Sequence, residues 1–118
     1  MPRFLMMVRA DERNAPAEGP SPELMQRMGA LIEEMAKAGV LVDTGGLLPT
    51  AQATRLTWSG GQLSSTDGPF TDSKEVVGGY AIVDVSDKAE ALQWAERFLR
   101  VHEEFWTISS EIREIVQG

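Results

Sequence analysis

The chain has no cysteine, one histidine and one tyrosine, and it is short of positive charge. Without cysteine there can be no disulfide, no thiolate nucleophile and no cysteine-based zinc or iron–sulfur site. A single histidine, His102, falls short of the three or four nitrogen and sulfur ligands of ordinary zinc sites, so no metal is expected. Eleven Lys and Arg against eighteen Asp and Glu leave a net charge of -7. Affinity for nucleic acid comes largely from Lys and Arg displacing condensed counterions, so neither nucleic acid nor an anionic membrane surface is expected as a partner. No apolar run approaches the roughly 20 residues of a membrane span. The first ten residues place one basic residue before a short apolar run and then an acidic segment, unlike a signal peptide. A cytoplasmic protein is expected. Cofactor motifs are missing too: there is no G-x-G-x-x-G, no Walker A lysine loop, no H-E-x-x-H and no G-x-S-x-G, and no cofactor is implied.

What is present fits one domain spanning residues 1–118, with 42% hydrophobic and 25% charged residues. "RFLMMVRA", residues 3–10, is apolar on both faces and reads as a strand. A polar, Pro- and Gly-rich loop follows. Ser21-Pro22-Glu23 supplies an N-cap, a proline for the first helical position and a carboxylate for the dipole. Leu24, Met28, Leu31 and Met35, widened by Met25 and Ile32, then predict a helix over 22–38, with Gly39 as its stop. "ATRLTWSG", 53–60, alternates as a half-buried strand, Gly60-Gly61 turns the chain, and "QLSST" can pair back. The stretch between helix and strand, "VLVDTGGLLPTAQ", reads as a connector with a short extended start, broken by Gly45-Gly46 and Pro49. Val76–Val85 predicts the central strand, Asp87 with Glu90 a capped helix over 87–101, and "SSEIREIVQG" a last strand or short helix.

The resulting order is β-α-β-β-α-β, an α+β, ferredoxin-like fold with two helices on one face of a four-stranded antiparallel sheet. The other face stays uncovered although strands 1 and 3 are apolar on both sides; a second subunit packed sheet to sheet would cover it, which predicts a homodimer, the alternative being that the long loops at 10–21 and 39–52 fold over that face.

The chemistry centres on "TDGPFTDSKEVVGGY", residues 66–80. Asp67 can cap its own turn through backbone N–H groups, with Gly68 and Pro69 shaping the bend and Phe70 plugging a core edge. The same turn can instead hold an ionised carboxylate as a base or ligand anchor. Gly78-Gly79, inside a strand, asks for another backbone or a ligand to come close. His102, at the end of the second helix, is either a helix-end residue or the first candidate acid or base. Trp58, Trp94 and Trp106 read as packing residues, the methionines as core filler, and Glu103-Glu104 as a solvated face.

"TDGPFTDSKEVVGGYAIVDV" closely resembles the signature of the YCII-related, or DGPF-domain, family. "MPRFLMMVRADE", "KAGVLVDTGGLLP", "EALQWAERF" and "VHEEFWTISSEIREI" extend the likeness over nearly the whole chain. The resemblance implies a dimeric α/β barrel of ferredoxin-like subunits. Some relatives act as dehydrochlorinases on chlorinated hydroxylated aromatics through a His-Asp pair, and others are linked to extracytoplasmic-function sigma factors. Asp67, Gly68, Pro69, Phe70 and Lys74 match the motif. With His102 added as the one side chain that titrates near neutrality by default, Asp67 and His102 are the candidate catalytic residues, and Lys74, Phe70 and Tyr80 the candidate ligand-binding ones. The family's histidine stands early in the chain, where this sequence has none before His102, and Thr44-Gly45-Gly46-Leu47 replaces the family's Gly-Glu-Gly-Leu. The implied roles are an enzyme on a small aromatic or carbonyl substrate held between sheet and loops, or a non-catalytic ligand-sensing or protein-partner domain.

Overall fold

In the computed structural model, which describes residues 1–14, 19–70 and 74–117, the two helices begin at their capping residues. Helix α1, Pro22–Lys37, starts where the Leu24 N–H donates to Ser21 Oγ at 3.0 Å. It ends on Gly39 at φ +77°, with the Gly39 and Val40 N–H groups donating to the Ala36 and Met35 carbonyls. That pairing is the Schellman closure. Helix α2, Lys88–Arg100, starts with the Glu90 N–H donating to Asp87 Oδ1 at 2.9 Å. The Glu90 carboxylate reaches one residue further back than a capping box requires and accepts from both the N–H and the hydroxyl of Ser86.

Six strands follow from the remaining pattern: β1 Arg3–Ala10, β2 Leu41–Gly46, β3 Thr54–Ser59, β4 Gln62–Asp67, β5 Val76–Asp84 and β6 Ile108–Glu114. Four of them form an antiparallel sheet in the order β2-β5-β1-β6, the ferredoxin-like arrangement. The second strand of that sheet is β2, in the stretch read from sequence as a connector. The predicted strand over 53–60 exists as β3, but it pairs with β4 alone in a separate two-stranded sheet. Two physical reasons explain the exchange. Leu41 pairs with Val83 and packs on the core, which seats β2 at the sheet edge. Of the glycines that argued against a strand, Gly45 lies under the Tyr80 ring, where an added Cβ would come within 3.0 Å of it, and Gly46 pairs with Gly79. Gly60 and Gly61, at φ +59° and +75°, give β3 and β4 the two-residue hairpin turn that demands positive φ.

Both helices cover one sheet face. Phe4 and Met6 of β1 and Val83 of β5 meet Leu31 and Met35 of α1 and Ala91 and Ala95 of α2, all buried, with Val40 and Val85 closing the ends. The register places Phe4 opposite Val83, and Met6 opposite both Ala81 and Ile112, so three strands share this layer. Met25 faces outward instead of joining the stripe. On the other sheet face, Leu5 lies beside Ile82 and Met7 beside Tyr80, all half-buried, with Asp43, Glu111 and Arg113 at the neighbouring positions. No helix among the described residues is long and apolar enough to cross a membrane.

Candidate functional site at the loop end of the sheet

Ala10 pairs with both Val76 and Ile108, and Gly46 with Gly79, so β1 and β2 end where β5 and β6 begin. The N-terminus of α1 and the C-terminus of α2 lie at the same end, joined by the Ser21 hydroxyl donating to Glu103 Oε2 at 2.7 Å. Every candidate loop therefore opens at one end of the sheet.

The turn after β4 is built on backbone contact. The Gly68 N–H donates to the Ala53 carbonyl at 2.8 Å, and the Gly68–Pro69 peptide is cis. A Cβ on Gly68 would sit 1.7 Å from the Thr50 carbonyl oxygen, so only glycine fits. Thr50 is in turn held by Glu12, whose carboxylate accepts the Thr50 N–H at 2.8 Å and its hydroxyl at 2.5 Å. Glu12 thus ties the segment after β1 to the platform beneath the turn. Asp67 is exposed on this platform. Its Oδ1 accepts the Thr54 hydroxyl at 3.1 Å, while Oδ2 has no hydrogen-bond partner among the described residues. The carboxylate neither closes an Asx-turn on backbone N–H groups nor meets His102.

Phe70 is half-buried beneath the Arg55 guanidinium, 4.1 Å from its ring centroid, a cation–π contact rather than a plug in the core. Lys74 is exposed. Residues 71–73 lie outside the described residues. Tyr80 sits on the outer sheet face and its hydroxyl donates to Asp43 Oδ2 at 3.1 Å. The hydrogen bond to that carboxylate, reinforced by its negative charge, raises the phenol above its ordinary pKa and holds it protonated. The Gly78-Gly79 pair has a structural cause: β1 and β5 slip register between Val8 and Arg9, leaving Gly78 as the extra residue. Gly79 lies against the Gly45 carbonyl, 3.1 Å from where a Cβ would stand.

His102 belongs to a second cluster, on the helical side of the same end. Its Nδ1 lies 3.1 and 3.3 Å from the carbonyl oxygens of Phe98 and Leu99. Carbonyls only accept, so Nδ1 carries the proton and caps the end of α2, leaving Nε2 as the basic nitrogen. The ring is flanked edge-on by Phe98 and Trp106. Burial lowers its pKa, outweighing the carbonyl hydrogen bonds and the charge of Glu103, and keeps it neutral at neutral pH.

Glu103 is the residue that sequence reasoning missed. Read as solvated, it accepts from Ser21, accepts the Trp106 Nε1–H at 3.1 Å and pairs with Arg27 at 3.6 Å. These bonds, Ser21 first, hold its carboxyl below the usual range. Trp58 is the opposite case: expected to pack, it is 72% exposed. Asp67 and His102 thus share the loop end without a hydrogen bond between them. A groove of about 410 Å³ lies between α1 and α2, lined by Arg27, Ala30, Leu31, Glu34, Arg97 and Val101. Its arginines are already paired, Arg97 with Glu34 and Arg27 with Glu103. Among the described residues no group of three or more His, Asp or Glu is placed to hold a metal ion.

A ferredoxin-like α+β domain with a glycine-wedged Asp-Gly-Pro-Phe turn at its loop end defines the class of this protein. A family model of the YCII-related domain matches residues 3–115, and the chain belongs to that family. It is also similar to an uncharacterised protein of Rhizobium meliloti (strain 1021), 33% identical over 72 residues. That match covers 61% of this chain and 58% of the relative's length.

Proposed function

We propose that the protein is a homodimeric binder of a small aromatic or carbonyl compound, anchored by Asp67 at the loop end of the sheet. The observation that carries this reading is the state of the Asp67 carboxylate. One oxygen is fixed by Thr54, the following glycine is wedged against Thr50, and Oδ2 is left to accept from a ligand hydroxyl. Lys74 and Phe70, which follow in the same segment, supply a cation and an apolar ring to such a compound, and Tyr80 presents a protonated phenol on the outer sheet face. Acid–base chemistry would need Asp67 to take the ligand's proton, with Lys74 stabilising the charge that develops. The half-buried Leu5, Met7, Tyr80 and Ile82 support sheet-to-sheet packing of two copies.

The test is a thermal-shift screen of small phenols and keto acids against wild type and Asp67→Asn. A compound that stabilises wild type and not the variant supports the reading. Equal shifts for both proteins would remove Asp67 from ligand binding. A second reading, a non-catalytic accessory domain that binds a protein partner such as a sigma factor, is favoured by the exposed β3–β4 hairpin. With a net charge of -7, such a role would run through protein contacts rather than nucleic acid.

A further inference from the structure

The hairpin of β3 and β4 is the part of the molecule that its own protomer does not explain. Direct cross-strand partners lie on the same face of a ribbon, so the pairing of Trp58 with Leu63 and of Leu56 with Ser65 puts all three large apolar side chains on one side. Leu56 is 66%, Trp58 72% and Leu63 66% exposed. The opposite side carries Arg55, Thr57, Ser64 and Thr66, and Phe70 docks there under Arg55. Among the described residues the two strands pack on each other and on neither helix nor the four-stranded sheet beyond isolated contacts. A two-stranded hairpin is marginal in water by itself. The radius of gyration is 15.9 Å, against the roughly 13.5 Å expected of a compact domain of this length.

We infer that this hairpin is an arm that lays its Leu56, Trp58 and Leu63 stripe on a second copy of the chain, at the border of that copy's outer sheet face. The inference rests on the homodimer proposed above and says which element completes its interface. Size is the first argument. Four half-buried side chains on the outer sheet face offer on the order of 200 Å² of apolar surface, and the hairpin stripe adds roughly 300 to 400 Å². Only together, with a polar rim, do they approach the roughly 800 Å² per partner of a stable interface. Charge is the second. Two copies that each carry a net charge of -7 repel, yet the stripe side of the hairpin holds no charged residue from Leu56 to Ser65, with Asp67 only at its base, so the arm meets its partner as an uncharged strip. A two-fold axis would exchange the arms reciprocally.

The experiment compares wild type with Trp58→Ser/Leu63→Ser by sedimentation velocity over a concentration series, with circular dichroism to show that the domain stays folded. Amide hydrogen exchange of residues 54–67 in wild type, above and below the dissociation midpoint, is the second measurement. The expected result is a wild-type dimer, at least tenfold weaker association in the variant, and hairpin amides protected only in the dimer. A wild-type dimer unaffected by the substitutions, with hairpin amides exchanging freely at all concentrations, overturns the arm and leaves the dimer standing. A wild-type tetramer that the variant reduces to a dimer would assign the stripe to a different interface and also overturn it. A wild type that is monomeric throughout removes both the dimer and the arm.

Discussion

Gly68 shows how much one missing side chain can decide. Its Cβ would lie 1.7 Å from a backbone carbonyl that Glu12 holds in place, and a backbone obstacle cannot rotate away as a side chain can. Gly68→Ala should therefore lower the unfolding free energy by about 2 to 4 kcal/mol, the range of severe steric substitutions, measured by urea denaturation. His102 carries a prediction in pH. Its folded pKa lies below the ordinary 6.5, so beneath that value the unfolded chain binds the proton more readily than the folded one. The stability that neutral His102 contributes is present above pH 6.5 and is lost as pH falls through it. Glu103 pulls against this shift and Arg27 with it. Denaturation curves should show stability declining as pH falls from about 7 toward 5.5, with that slope absent in His102→Gln. Glu103→Gln should lower the Tm, since its charge-assisted bonds to Ser21 and Arg27 weaken together.

At the scale of elements, the helices were legible because their signals are local. Ser21, Gly39 and Asp87 each act within four residues of where they stand, and each acts in the structure as its residue type requires. Asp87→Ala should lower stability by about 1 kcal/mol, the usual cost of a lost N-cap, readable as a shift in Tm. Strand partnership was less legible. The alternation in residues 53–60 is genuine, but alternation states that a segment is extended and not which strand it joins. Leu41–Gly46 hid its strand behind two glycines, of which Gly45 lies against the Tyr80 ring across the ladder, a contact between residues thirty-five positions apart in sequence. The site shows the same division. Asp-Gly-Pro-Phe was legible as a turn, and the resemblance made it specific. The anchoring of Gly68 on Thr50, and of Thr50 on Glu12, brings together three separate segments and leaves no mark on any one of them. Glu103 escaped notice for the same reason, because its partners come from α1 and from the loop before β6.

For the molecule as a whole, the two helices bury one sheet face and the loops gather at one end, leaving the outer sheet face and the hairpin uncovered by helices. The groove between α1 and α2 competes with the loop end as a place for a ligand. Its arginines, however, already face Glu34 and Glu103, whereas Asp67 keeps one carboxylate oxygen unpaired among the described residues. The most direct measurement is an amide chemical-shift map of the protein titrated with whichever phenol or keto acid gives the largest thermal shift. The perturbations should gather at Thr50, Thr54, Asp67, Gly68 and Lys74, and disappear in Asp67→Asn. Perturbations centred on Arg27, Arg97 and Val101 and unchanged in that variant would contradict an Asp67-anchored site.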